Sequence, residues 1–219
     1  TRGYSLQRFM NACSGRGGSP IKFNGSIFTV EAKPGASPQT PDGDPDWRRW
    51  GGNYWFQNTR LAYWPMLAAG DFEMMESLFR FYAGALPICE QRAKLYHGAR
   101  GAYFPETMTL FGTYANQDYG WDRTGNAPRD VQCPWWQYAW NQGPELVALM
   151  LDRYEYAPDP AFARDHLVPM AAAVLAYFDS RFPRDADGRL RITPTQAVET
   201  YWQGVEDDMP SVAGLHDVL

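Results

Sequence analysis

Residues 99–107 read ARGAYFPET and residues 187–200 read DGRLRITPTQAVET. Both stretches carry a turn-forming Gly, then a Pro, then a Glu, and both follow a long helical pattern. In the second, Asp187-Gly188 is a hairpin-turn pair, Leu190 and Ile192 alternate with Arg189 and Arg191, and Pro194 ends the short strand. Upstream of each ribbon lie two helical blocks, one with polar and aromatic residues mixed around its circumference and one amphipathic. The unit occurs twice, over 53–106 and 135–199. Helical hairpins that leave one face unburied must stack on their neighbours, which predicts an all-α solenoid or, if the curvature closes, a toroid with polar-aromatic inner helices and short ribbons in its loops.

Worked outward from these ribbons, the chain reads as helices and turns. Residues 4–14 predict a helix with Leu6, Phe9, Met10 and Cys13 on its inner face, and 21–30 a ribbon around Asn24-Gly25. After Gly52 the block containing Trp55, Gln57, Asn58, Leu61 and Tyr63 is helical by length and suited to lining a polar cavity. Gly70-Asp71 stops it and caps the next helix, which buries Phe72, Met75, Phe79, Tyr82 and Leu86 and runs past Pro87 to Gly98. Ribbons are expected at 101–111 and 188–193, with a long aromatic loop over 114–134 that the aromatics argue is ordered. Trp135–Asn141 repeats the polar-aromatic mixture, and Gly143-Pro144 breaks it. A helix over Glu145–Tyr156 turns Leu146, Leu149, Met150 and Tyr154 inward, and another opens at Asp159-Pro160 with Leu167, Ala171, Val174 and Phe178 on one side.

Composition narrows the function classes. A net charge of -5 provides no basic stripe for phosphate backbones, so nucleic acid is an unexpected partner. Three cysteines without C-x-x-C spacing and three scattered histidines support neither a disulfide framework nor a metal site, and nothing in the chain calls for a cofactor. No run approaches the roughly 20 apolar residues of a membrane span. The aromatic content of 16% is high, and Trp47, Trp50, Trp121, Trp135 and Trp202 fall in or beside loops, where core packing explains them less well than ligand contact.

Glu199 is the candidate reactive carboxylate, set between Gln196 and Tyr201-Trp202. Aromatic faces stack on the C–H side of a pyranose while amides and carboxylates take its hydroxyls, and a carboxyl desolvated by aromatics holds a proton near neutral pH. The expected ligand is therefore a carbohydrate, contacted by Trp55, Gln57, Asn58, Glu106 and Trp202, with Glu199 as an acid. Glu106 serves equally well as a turn cap or a second site carboxylate, and Asn58 as an inter-helix hydrogen bonder. Asp118, Asp122, Asp207 and Asp208 read as loop and first-turn acids. A non-catalytic carbohydrate-binding or scaffold module on the same helices is the competing class. A lyase would want a Tyr/His or metal arrangement that the histidines do not offer.

These residues resemble those of the six-hairpin, (α/α)6-barrel glycoside hydrolases, and most closely family 95, the α-L-fucosidases and α-L-galactosidases. Asn58 followed by Tyr63-Trp64-Pro65 is similar to that family's N-x-N-x-Q-M-N-Y-W-P helix, with Phe56, Arg60 and Ala62 departing from it. Asp187–Thr200 resembles its D-G-x-L segment that runs through S-P-S to P-E-N. The resemblance implies an inverting mechanism, places Glu199 on the general acid, and favours a secreted or periplasmic enzyme. The family's general base, an Asp late in the barrel, has no counterpart here. A full toroid of about twelve helices needs well over 300 residues. Residues 1–219 are thus expected to be part of a single (α/α)6-barrel catalytic domain, a fragment whose remaining partner is the rest of the barrel.

Overall fold

A computed structural model describes residues 2–22, 53–197, 199 and 205–219. Among them the chain is mostly helical and divides into two compact units, Thr1–Phe81 and Tyr82–Leu219. The ribbon expected at 21–30 falls almost entirely outside the described residues.

The first unit holds α1 (Arg2–Gly15), the two-residue strand β1 (Tyr54–Trp55), α2 (Phe56–Thr59), a 3-10 turn (Arg60–Ala62), α3 (Trp64–Ala69) and the start of α4 (Phe72–His97). The continuous helix expected after Gly52 is instead a run of short turns. Pro65, in the first turn of α3, has no N–H for a preceding turn to use, so the segment restarts there. The change of pitch buries Tyr63 and leaves Leu61 exposed, where a continuous helix would have buried it. The Tyr63 hydroxyl accepts a hydrogen bond from the Ile21 N–H at 2.7 Å.

Helix α1 forms where the sequence predicts it, but its expected inner face is turned outward: Leu6 and Phe9 are exposed, while Asn11 and Gly15 are buried. Polar tethers set this rotation. Arg8 Nε donates to Asp71 at 2.8 Å and Arg16 Nη2 to Glu73 at 2.7 Å, and Gly15 lets Met74 pack where a side chain would crowd it. The Asp71 carboxylate, expected to cap α4, is taken by Arg8 instead.

The rest of α4 belongs to the second unit and continues through Pro87 to the left-handed Gly98, burying Tyr82, Ala85, Cys89 and Ala93. Beyond it come the strand β2 (Thr107–Met108), α5 (Asn116–Tyr119), α6 (Gln142–Tyr156), α7 (Pro160–Phe162), a π-helical turn (Ala163–Leu167), α8 (Val168–Arg181) and α9 (Met209–Val218). Helix α6 packs on both α8 and α9. It is buried around most of its circumference, with Gln142, Leu146, Val147, Leu149, Met150 and Arg153 inside, as an inner helix must be. Gly143-Pro144, expected to break the chain, lies in the first turn of α6, where a proline's missing N–H costs no helical bond. Trp135–Asn141 is a series of turns and not a helix. Asp159 caps α7 as its sequence predicts, its Oδ1 accepting from the Ala161 N–H at 2.9 Å. The wide π turn precedes Pro169, relieving the clash its ring would cause with the carbonyl four residues back.

The ribbon expected at 101–111 is narrower and deeper than the sequence suggests. Every residue from 102 to 108 is buried, in an extended run with only Thr107–Met108 as strand and a bridge from Met108 to Tyr114. The Ala102 N–H donates to the Ala173 carbonyl of α8 at 2.9 Å. The approach is so close that a Cβ on Gly101, whose φ is +71°, would lie 2.0 Å from that carbonyl oxygen. Small residues on α8, Ala173 and Ala176, make room. Tyr103 then enters an aromatic cluster with Trp140 and Tyr177 at ring distances of 5.5 and 4.9 Å. The loop over 114–134 is ordered by Arg123, which donates to the carbonyls of Tyr119, Ala127 and Asp130. At 188–193 the extended pairing is a single bridge from Arg184 to Leu190.

Gly101→Ala combines a left-handed backbone with a steric clash, so it is expected to destabilise the protein by about 2–3 kcal/mol. Urea unfolding should show it. Gly98, also left-handed but with open space around its Cβ position, supplies the control: Gly98→Ala should cost less.

Candidate functional site

The segment leading to Glu199 is built from its feet upward. Thr195 bridges to Val205, its N–H donating to the Val205 carbonyl at 3.3 Å, so the two ends of the loop are clamped together. Asp208, 3% exposed, caps α9 through the Ser211 N–H at 3.0 Å and also accepts the Thr195 hydroxyl. Next along the chain, Gln196 is 2% exposed and spends its whole amide on the 134–138 turns. Its Nε2 donates to the carbonyls of Pro134 and Trp135 at 3.1 and 3.0 Å, its Oε1 accepts from the Tyr138 N–H, and its own N–H donates to the Tyr138 carbonyl at 3.1 Å. Trp140 Nε1 adds a bond to the Pro194 carbonyl at 2.8 Å. On this anchored base Glu199 sits in a turn, exposed to solvent. Tyr201 and Trp202, expected to desolvate it, lie outside the described residues.

Glu106 lies elsewhere in the same unit, in the buried run, 3% exposed and accepting from Gln142 Nε2 at 2.8 Å. Gln142 Oε1 is buried and makes no hydrogen bond. The adjacent Thr107 donates its hydroxyl to Asp118, which is 6% exposed. Burial raises the Asp118 pKa above the ordinary carboxylate value, opposed by the bonds from Thr107 and Cys133. A residue read as a plain loop acid is therefore a buried, hydrogen-bonded one. Trp55, Gln57 and Asn58 sit together in the first unit, Trp55 at 9% exposure and the two amides half-buried.

A cleft of about 320 Å³ opens among His97, Arg129, Asp130, Gln137, Trp140 and Arg181. Chain separation hides this grouping, since the residues come from the end of α4, two loops and the end of α8. His97 packs edge-on against Tyr103, Trp140 and Tyr177 at 5.1, 5.6 and 6.1 Å. Burial, then the charges of Arg181 and Arg129, push its pKa down to about 4, so the imidazole is neutral at pH 7. Asp130 faces the same cleft and opposes the two arginines without cancelling them. Among the described residues no cluster of three or more His, Cys, Asp or Glu is placed to hold a metal ion, and no helix is long and apolar enough to cross a membrane.

The Glycosyl hydrolase family 95 catalytic domain matches residues 44–214 of the chain. The chain belongs to this family. The solved structure of "Putative kojibiose phosphorylase from human microbiome" superposes with a TM-score of 0.55 at 15% identity, covering 77% of this chain and 23% of that one. At that identity the likeness is one of fold, and it is to an (α/α)6-barrel. The present chain spans about a quarter of that structure's length. No curated protein matches. The chain is thus a member of a carbohydrate-active enzyme family, and its helical hairpins are those of the (α/α)6 toroid that the repeated ribbons predict.

Two expectations follow from this geometry. Gln196→Ala would remove the bonds to two part-buried carbonyls and an N–H, so it should cost about 1–2 kcal/mol in denaturant unfolding. For His97 the sign is set by its lowered pKa: between pH 6.5 and about 4 the unfolded chain takes up a proton that the folded chain refuses. Its contribution is fully present above pH 6.5 and is lost as the pH falls towards 4, on the order of 2 kcal/mol after discounting for partial solvent screening. Stability measured from pH 7 to 4 should therefore fall less steeply in His97→Gln than in the native protein.

Proposed function

We propose that this chain carries part of the sugar site of an inverting glycoside hydrolase in which Glu199 is the general acid, protonating the leaving oxygen of a glycosidic bond. The observation that supports it most is the placement of Glu199: an exposed carboxylate on a loop clamped at both feet, inside the stretch matched by the family 95 catalytic domain. A catalytic acid must reach solvent-borne substrate, and an exposed carboxylate that follows the anchored Thr195–Gln196 pair is able to. Exposure leaves its desolvation to the bound sugar.

In this reading Gln57 and Asn58, half-buried, take sugar hydroxyls, and Asn58 also orients the attacking water. Glu106 is buried and held by Gln142, and Trp55 is buried in the first unit. The chain supplies part of a single barrel domain, and the general base comes from barrel segments beyond these residues. Inversion requires that base about 6.5–9.5 Å from the acid, leaving room for a water.

The test uses the protein that carries this chain. Glu199→Gln should lower turnover about a hundredfold to ten-thousandfold on a glycoside with a poor leaving group, with little change in folding, because Gln keeps the shape. An aryl glycoside with an activated leaving group should lose much less. Equal losses on both substrates would assign Glu199 a positioning role, and unchanged rates on both would remove it from the site.

A further inference from the structure

We propose that the cleft at the C-terminal ends of α4 and α8 is a subsite for an acidic sugar, with Arg181 and Arg129 taking the carboxylate of a uronic acid and Gln137 and Asp130 taking its ring hydroxyls. Choosing a sugar as the bearer of the carboxylate rests on the glycoside hydrolase reading, but the anion preference stands on the cleft itself. Its volume of about 320 Å³ is at the small end of the range for ligand pockets and suits one pyranose. Among the described residues, two guanidiniums, one carboxylate and a neutral imidazole give it about one net positive charge at pH 7.

Arg181 is the more telling of the two cations. Its Nε is buried and makes no hydrogen bond, and among the described residues no carboxylate forms an ion pair with it. The acid nearest in sequence, Asp179, is engaged by Arg100 and Arg184. The Nε is turned away from solvent with the Tyr177 hydroxyl close to the guanidinium, which leaves the terminal nitrogens to meet a ligand, and a planar carboxylate is the group that matches a guanidinium edge. Arg129 reaches the cleft from the opposite loop with a side chain 66% exposed and only a loose 3.9 Å approach to Asp130. Helix-dipole complementarity accounts for a cation at the end of α8. It accounts neither for the second arginine, which comes from a loop, nor for the cavity between them. Burial, and after it the charges of Arg181 and Arg129, lower the His97 pKa and leave the imidazole free to hydrogen-bond as a neutral group. Asp130 has Oδ2 committed to the Ala127 N–H at 2.9 Å, while Oδ1, 3.9 Å from Arg129 Nε, keeps capacity to accept a further hydrogen bond. Trp140, itself 5% exposed, forms an apolar wall on one side of the cleft.

The experiment titrates the protein carrying this chain, by calorimetry, with glucuronate and galacturonate, against glucose, galactose and inorganic sulfate. The expected result is that a uronate binds at least about tenfold more tightly than its neutral counterpart and than sulfate. Arg181→Gln and Arg129→Gln should each weaken uronate binding about tenfold. Arg129 is on the surface, so its variant keeps the test open if the Arg181 variant folds poorly, as circular dichroism would reveal. Glu199→Gln should leave uronate binding unchanged, which separates this subsite from the catalytic reading: loss of one does not entail loss of the other. Equal binding of uronate and neutral sugar would overturn the proposal, as would sulfate binding as tightly as uronate, or full uronate affinity in Arg129→Gln.

Discussion

The second unit depends on one close approach, the bond from the Ala102 N–H to the Ala173 carbonyl of α8. It carries an extended run of seven residues, 102–108, into the interior. Buried backbone outside regular structure must find partners, and the run finds them in α8 at one end and in the Ala115 N–H, which donates to the Thr107 carbonyl, at the other. The small face of α8 and the absence of a side chain at Gly101 permit the approach, and Tyr103 secures it through the aromatic cluster. A bulkier face on α8 would expel the run. With it would go the packing that holds Glu106 against Gln142 and presses His97 and Trp140 together.

A second set of bonds joins the later loop to the same framework. Gln196, Trp140 and Asp208 tie the 194–196 stretch to the 134–140 turns and to α9. The amide of Gln196 substitutes for secondary structure by supplying the donors and acceptor that an irregular turn lacks. Rigidity at the feet of the Glu199 loop is thus obtained from side chains, while the carboxylate stays in solvent.

Much of the helical frame was legible because periodicity reports burial directly. The stripes of α4, α6 and α8 place Tyr82, Leu146, Leu149, Val174 and Phe178 inside as expected, and Asp159-Pro160 announces its helix start through a cap and a first-turn proline. The misses have physical causes. Trp135–Asn141 carries a helical mixture of residues, but long-range bonds from Gln196 reward turns more than a single helical turn would be worth. The rotation of α1 is decided by arginines reaching acids more than fifty residues away, which no local period encodes. The burial of 102–108 is invisible in a stretch too short and irregular to have a period. Glu199 was legible as a site candidate through its turn and its family-like surroundings. The cleft of His97, Arg129 and Arg181 was not, because only the fold brings residues that far apart together.

The irregular segments 102–108 and 194–196 are held as firmly as the helices, while Glu199 stands exposed in a turn. Hydrogen exchange on the protein that carries this chain measures this amide by amide. The N–H groups of Ala102, Ala115, Thr195 and Gln196, each bonded to a backbone carbonyl, should exchange on the timescale of the α8 core. The amide of Glu199 should exchange far faster. Exchange of Ala102 and Gln196 at the rate of an exposed loop would contradict it, because neither the buried run nor the anchored base would then exist in solution.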